Sequence, residues 1–148
     1  MDISAIVRED VVTVYMDDTL LDVAEVLRLE GVGSAVVLDP HDEVLGIVTD
    51  RDLVVYGQEF AESLEQTTVN QVLSMAVFSV SPDTSLLDLT EQMRESGVRR
   101  VPIMDNGDLL GIVTLDDIVV HLATQLDSPE LQNLAAVIES ESPSRDPD

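Results

Sequence analysis

The stretch Val44-Leu-Gly-Ile-Val-Thr-Asp-Arg-Asp-Leu53 returns 65 positions later as Leu109-Leu-Gly-Ile-Val-Thr-Leu-Asp-Asp-Ile118. Upstream of it, Val11-Val-Thr-Val-Tyr-Met-Asp-Asp-Thr-Leu-Leu-Asp-Val-Ala-Glu25 returns at an offset of 66 as Val77-Phe-Ser-Val-Ser-Pro-Asp-Thr-Ser-Leu-Leu-Asp-Leu-Thr-Glu91. The match continues through Arg28 and Arg94 to Gly31 and Gly97. Self-similarity at a fixed period is the mark of a duplicated structural unit. The offset shrinks by one between the two matches, and a turn is where such a unit best tolerates a deletion.

Each repeat has the same local grammar. A short apolar strand at 11–14 or 77–80 ends at a polar turn. Thr19 and Ser85 each stand three residues before an acid, Asp22 and Asp88, nearly a capping box, and announce a helix. Leu20, Val23, Ala24 and Leu27 make its apolar stripe, echoed by Leu86, Leu89 and Met93. Gly31 and Gly97 sit where such helices terminate. Two strands follow, 35–38 with 44–48 and 101–104 with 109–113. Asn106-Gly107 is a strong hairpin signal in the second pair, whereas Asp39-Pro40-His41-Asp42 is a looser turn in the first. A second helix begins near Asp50 and near Leu115, so the order is β-α-β-β-α, twice.

Outside the repeats, 58–71 is polar and reads as a connecting loop. Ser128-Pro129-Glu130 opens a further helix, with Ser as cap and Pro in the first turn. Its residues Leu131, Leu134, Ala135 and Ile138 form an apolar face that needs a partner. The expected division is 1–66 for the first repeat, 67–127 for the second, 128–140 for the short helix and 141–148 for a disordered acidic tail. The fold class is α+β, two tandem repeats.

Composition narrows the function. The 148 residues are 45% hydrophobic but only 3% aromatic, so the core must be built from Val, Leu and Ile. The chain has 30 acidic residues against 7 basic ones, all Arg, and a net charge of −23. A field of that sign repels nucleic acid and anionic membranes, so neither is an expected partner. No apolar run approaches the ~20 residues a membrane helix needs, and residues 1–4 lack the features of a signal peptide. Without Cys there are no disulfides, thiolate metal sites or cysteine nucleophile. A cytoplasmic protein is the expectation. The acidic, Lys-free composition resembles that of halophilic archaeal proteins. At about 1 M salt the Debye length falls to about 3 Å and self-repulsion is screened. The unfolding midpoint is accordingly expected to rise steeply with added KCl, and a salt-independent midpoint would count against a halophilic adaptation.

The chemistry-bearing residues lie where each hairpin meets its helix: Gly46-Ile-Val-Thr49-x-x-Asp52 and Gly111-Ile-Val-Thr114-x-x-Asp117. A Thr-x-x-Asp junction is nearly a capping box. It also offers a hydroxyl, free N–H groups and a carboxylate at one helix N-terminus, which suits a phosphate and a ribose diol. Capping and binding are not exclusive. His41 and His121 show no metal-ligand spacing, and no nucleophile–base pair is recognisable, so catalysis is not expected.

The doubled Gly-h-h-Thr-x-x-Asp pattern (h apolar), with Val101-Pro102-Ile103 in the preceding strand, resembles a pair of cystathionine-β-synthase (CBS) domains. The resemblance runs from about Ile3 to Leu126. It implies two repeats packed with pseudo-twofold symmetry, sheets facing a central cleft and helices outside. It further implies a regulatory module that binds AMP, ADP or ATP, with or without Mg²⁺, in that cleft, with no cofactor required. By the same resemblance, Asp52 and Asp117 match the ribose-binding acids, and Thr49 and Thr114 the hydroxyls beside phosphate or ribose. Arg51 falls where some members place a phosphate contact, but Asp116 takes that place in the second repeat. Arg99-Arg100-Val101-Pro102 resembles the phosphate-contacting stretch in the regulatory subunit of AMP-activated kinase, where the first repeat has Gly33-Ser34-Ala35-Val36. The two sites are therefore expected to be unequal. Val12, Val36, Ile47, Phe78, Val101 and Ile112 are candidates for an adenine pocket, and each also reads as ordinary core. The expected partners are a second copy of the chain and an effector protein. The alternatives are a structural dimerisation module without a tight ligand, and an S-adenosylmethionine sensor, for which the arginines would matter little.

Overall fold

The computed structural model describes residues 3–57, 64–73 and 78–141. The chain forms two compact units, one of Val11–Phe78 with Asn106–Leu109, the other joining Met1–Asp10 to Ser79–Asp105 and Leu110–Asp148.

In the first unit, β1 (Thr13–Tyr15) pairs in parallel with β2 (Ser34–Leu38), which pairs antiparallel with β3 (Val44–Thr49). Side chains alternate across a strand. Ala35, Val37 and Val48 thus share one face with the buried residues of α1 (Leu20–Glu30), namely Leu20, Val23 and Leu27. Val36 and its cross-strand partner Ile47 lie on the opposite face. Helix α1 begins as its sequence dictates. Thr19 Oγ1 accepts the Asp22 N–H at 3.1 Å, and the Asp22 carboxylate accepts the Thr19 N–H at 3.3 Å. It ends at Gly31, whose φ of 66° costs a glycine little. Helix α2 (Asp50–Gly57) follows β3 directly.

Of the segment read as a connecting loop, residues 58–63 lie outside the described residues, and the rest is more ordered than its polarity implies. A helical turn, α3 (Val69–Val72), buries Val69 and Val72, and Thr67 beside it is fully enclosed. The Thr67 carbonyl accepts the Leu20 N–H at 2.9 Å, and the Asp18 carbonyl accepts the Val69 N–H at 2.8 Å. Two apolar residues are too few to register as periodicity; what orders the turn is the α1 N-terminus it lies against.

In the second unit, α4 (Leu86–Ser96) is capped by Ser85, whose hydroxyl accepts the Asp88 N–H at 3.1 Å, and ends at Gly97. Strands β4 (Arg100–Asp105) and β5 (Asp108–Thr114) form the second hairpin. Its turn places Asn106 and Gly107 at φ 52° and 87°, as the Asn-Gly pair leads one to expect. The strand expected at 77–80 is reduced to a parallel bridge between Val80 and Ile103, the counterpart of β1 on β2. Residues 74–77 lie outside the described residues. Helix α5 (Leu115–Gln125) packs against α6 (Pro129–Glu141). Of the α6 face expected to need a partner, Ala135 is buried and Leu131 and Ile138 are half-buried, while Leu134 stays exposed. Of the tail expected to be disordered, 141–148, Glu141 ends α6, and residues 142–148 lie outside the described residues.

The N-terminal segment reaches the edge of the second hairpin. Residues 3–10 precede the first repeat's strand in the chain, and part of this segment pairs with β5. Arg8 forms an antiparallel bridge with Ile112 of β5 and exchanges both backbone hydrogen bonds with it, at 2.9 and 3.0 Å. An open strand edge is a row of unpaired donors and acceptors, and this segment covers it.

Candidate functional site

Both strand-to-helix junctions are built alike at the backbone. The Asp50 N–H donates to the Gly33 carbonyl at 2.9 Å, and the Leu115 N–H donates to the Arg99 carbonyl at 2.8 Å. The start of each second helix is thereby tied to the residues that lead into the preceding hairpin. Thr49 Oγ1 accepts the Asp52 N–H, and Thr114 Oγ1 accepts the Asp117 N–H, each at 3.1 Å. The hydroxyls of both candidate threonines therefore cap their helices.

The carboxylates then diverge. Asp52 Oδ2 accepts the Thr49 N–H at 2.9 Å, closing a reciprocal capping box and leaving Oδ1 without a hydrogen bond among the described residues. Asp117 instead meets Arg8. Arg8 Nε donates to Oδ2 and Nη2 to Oδ1, both at 2.7 Å, a bidentate pair of the strong, charge-assisted kind. The Asp117 side chain is only 16% exposed and that of Arg8 34%. Hydrogen bonding to Asp117 raises the Arg8 guanidinium above its ordinary value; partial burial opposes this, and the charges of Asp117, Asp10 and Asp116 add to it. Arg8 was not singled out in the sequence. Its partner lies 109 positions away, and its counterpart at the repeat offset is the neutral Ser74, which breaks the internal symmetry.

The other candidate arginines are distributed unevenly. Arg99 reaches Asp116 at 3.5 Å, but with the side chains 67% and 44% exposed this is a weak surface pair. It nonetheless gathers Arg8, Arg99, Thr114, Asp116 and Asp117 at one junction. Arg100 opens β4 and Arg51 lies exposed on α2; neither makes an ion pair among the described residues. Among the adenine-pocket candidates, Val36, Ile47, Val101 and Ile112 are buried, whereas Val12 and Phe78 are half-buried. No group of three or more metal-ligating side chains occurs among the described residues. A depression at the start of α4, lined by Asp83, Asp88, Glu91 and Glu95 with hydroxyl and amide side chains, contains none of the junction residues. No helix among the described residues is long and apolar enough to cross a membrane.

The family model of the CBS domain matches the chain twice, over residues 3–59 and 69–124. The chain belongs to the CBS-domain family. An uncharacterised protein of Methanopyrus kandleri is 34% identical over 118 residues, covering 79% of this chain, which spans only 60% of that relative's length. Hypoxic response protein 1 of Mycobacterium tuberculosis is 30% identical over 79% of this chain and 82% of its own. The crystal structure of Hypoxic Response Protein I with two coordinated zinc ions superposes with a TM-score of 0.72 at 28% identity, over 82% of this chain and 98% of that one. A CBS domain pair in complex with 5′-methylthioadenosine and S-adenosyl-L-methionine reaches a TM-score of 0.74 over 85% of this chain and 98% of its own, a likeness of fold alone at 19% identity. The two tandem CBS repeats and the mixed α+β architecture are thus as the duplicated sequence implied. CBS pairs are generally regulatory ligand-binding modules rather than catalysts, and they often dimerise.

Proposed function

We propose that this CBS pair is a cytoplasmic, non-catalytic sensor that binds an adenine nucleotide through its Thr-x-x-Asp junctions and passes the signal to an effector protein. The observation that supports this most is the doubled junction itself. Thr49 with Asp52, and Thr114 with Asp117, present a carboxylate within three residues of a strand end and at the start of a helix. A carboxylate accepts both hydroxyls of a ribose, and the positive end of a helix dipole suits an anion. Arg51, Arg99 and Arg100 supply the basic charge that a phosphate needs within so acidic a chain. Val12, Val36, Ile47, Phe78, Val101 and Ile112 are the apolar residues proposed to receive adenine, and Mg²⁺ would enter with the phosphates of ADP or ATP. The sensor acts as a homodimer whose equilibrium the ligand biases by its differential affinity for two states.

A second reading is favoured by one specific observation. Arg99 is already paired with Asp116, and the net charge is −23. A sulfonium ligand such as S-adenosylmethionine carries positive charge and no phosphate, so this field attracts it.

Thermal unfolding in about 2 M KCl, where charge is screened, separates the readings. AMP, ADP, ATP and S-adenosylmethionine are each added in turn. Ligand at 100 times its dissociation constant stabilises by about 2.7 kcal/mol. A shift with one nucleotide, lost in Asp52→Ala and weakened in Arg51→Ala or Arg100→Ala, is the expected result. A shift with S-adenosylmethionine that ignores the Arg→Ala changes supports the second reading. No shift with any ligand leaves a structural dimerisation module.

A further inference from the structure

The two junctions share a sequence pattern, yet among the described residues a basic side chain takes the motif carboxylate of the second alone. Arg8 covers both oxygens of Asp117, those a ribose diol would have to engage. The guanidinium is not a loose surface group that happens to lie nearby. Its backbone is fixed on β5 by the two hydrogen bonds to Ile112, and the Arg8 carbonyl and Val7 methyl lie so close over Gly111 that a Cβ there would collide with both. The first junction has no such occupant in its sequence, since Ser74 stands at the position equivalent to Arg8. Among the described residues, the Asp52 carboxylate holds its own helix start.

We propose that Arg8 is an intramolecular occupant of the second junction, one that a ribose-bearing ligand must displace from Asp117 before it can bind there. The inference rests on the reading of Asp117 as a diol acceptor. A carboxylate has two oxygens and about four lone-pair directions, and the bidentate fork of Arg8 claims one on each oxygen. A ribose diol asks for the same two oxygens. The N-terminal segment therefore sets the difference between the sites. The Asp52 junction takes ligand first, and the Asp117 junction is latent until Arg8 is drawn away. A chain with two identical Thr-x-x-Asp motifs so acquires two unequal affinities from one residue outside both motifs.

The test is calorimetric titration of the full chain with adenosine, a diol ligand without phosphate, so that any phosphate contact by Arg8 does not enter. Wild type, Arg8→Ala, Arg8→Gln, Asp52→Ala and the double variants of Arg8→Ala with Asp117→Ala and with Asp52→Ala are compared. Arg8→Gln keeps most of the stem and a neutral donor, and covers the case in which Arg8→Ala does not fold. The expected result is an affinity at the Asp117-dependent site raised at least about tenfold, equivalent to about 1.4 kcal/mol, in both Arg8 variants. The gain disappears in the double variant with Asp117→Ala and persists in the one with Asp52→Ala. Unchanged affinity at that site overturns the proposal and makes Arg8 a brace of the strand edge. Weakened affinity overturns it by making Arg8 part of the binding surface. If wild type binds at the Asp52 junction and the Arg8 variants gain nothing, this inference alone fails. If no variant binds adenosine or AMP, the sensor reading fails with it.

Discussion

Gly111→Val is expected to destabilise the chain by about 3 kcal/mol, the upper end of the range for forcing carbon into a packed site. At about 2–4 °C per kcal/mol for a chain of this size, the unfolding midpoint falls by several degrees. The reason is contact rather than backbone strain. A Cβ at Gly111 would meet the Arg8 carbonyl oxygen, a backbone atom that cannot rotate away, and the Val7 side chain at 2.6 Å. The sign is informative, because replacing a strand glycine where space is free stabilises by about 0.4–1 kcal/mol through the unfolded state. Hydrogen exchange offers a local readout. The Arg8 N–H, now bonded to the Ile112 carbonyl at 2.9 Å, loses protection as the segment lifts. A variant with unchanged midpoint and unchanged Arg8 protection would show that the segment does not sit on β5 in solution.

The second large effect is expected at Ile103. Its side chain is fully buried, at 0% exposure, in the middle of β4, where it faces Val80 across the parallel bridge. Ile103→Ala removes three carbons from a close-packed interior and costs about 2–5 kcal/mol, the transfer term plus the cavity left behind. Its counterpart at the repeat offset of 66 is Val37, equally buried at 0%. Val37→Ala removes one carbon fewer and is expected to cost less. Denaturant midpoints of the two variants, measured in the same KCl, decide the order. A reversed order would mean that the sheet of the second repeat collapses around its cavity more readily than that of the first.

How far the sequence led depended on how local the deciding interaction was. Thr19 and Ser85 were readable as caps, because a cap and the N–H it accepts are three residues apart. Gly31, Gly97 and Asn106-Gly107 were readable because each answers a φ requirement of its own residue. The candidate threonines were readable as caps for the same reason, and their hydroxyls do accept the N–H of Asp52 and Asp117. The turn at 69–72 was missed because its order comes from the α1 N-terminus, with which it exchanges backbone hydrogen bonds. That Arg8 pairs with Ile112 of β5 was not legible, because a strand edge pairs with whatever segment reaches it.

The sequence by itself determined the duplication, the β-α-β-β-α order of each half, the caps and turns, and the family to which the chain belongs. Each of these rests on residues within a few positions of one another, or on a pattern repeated in register. Tertiary structure alone decided that Asp52 and Asp117, identical in their motifs, differ in their partners. A carboxylate's hydrogen bonds are set by what stands within about 3 Å of it, and for Asp117 that group is an arginine 109 residues away in the chain.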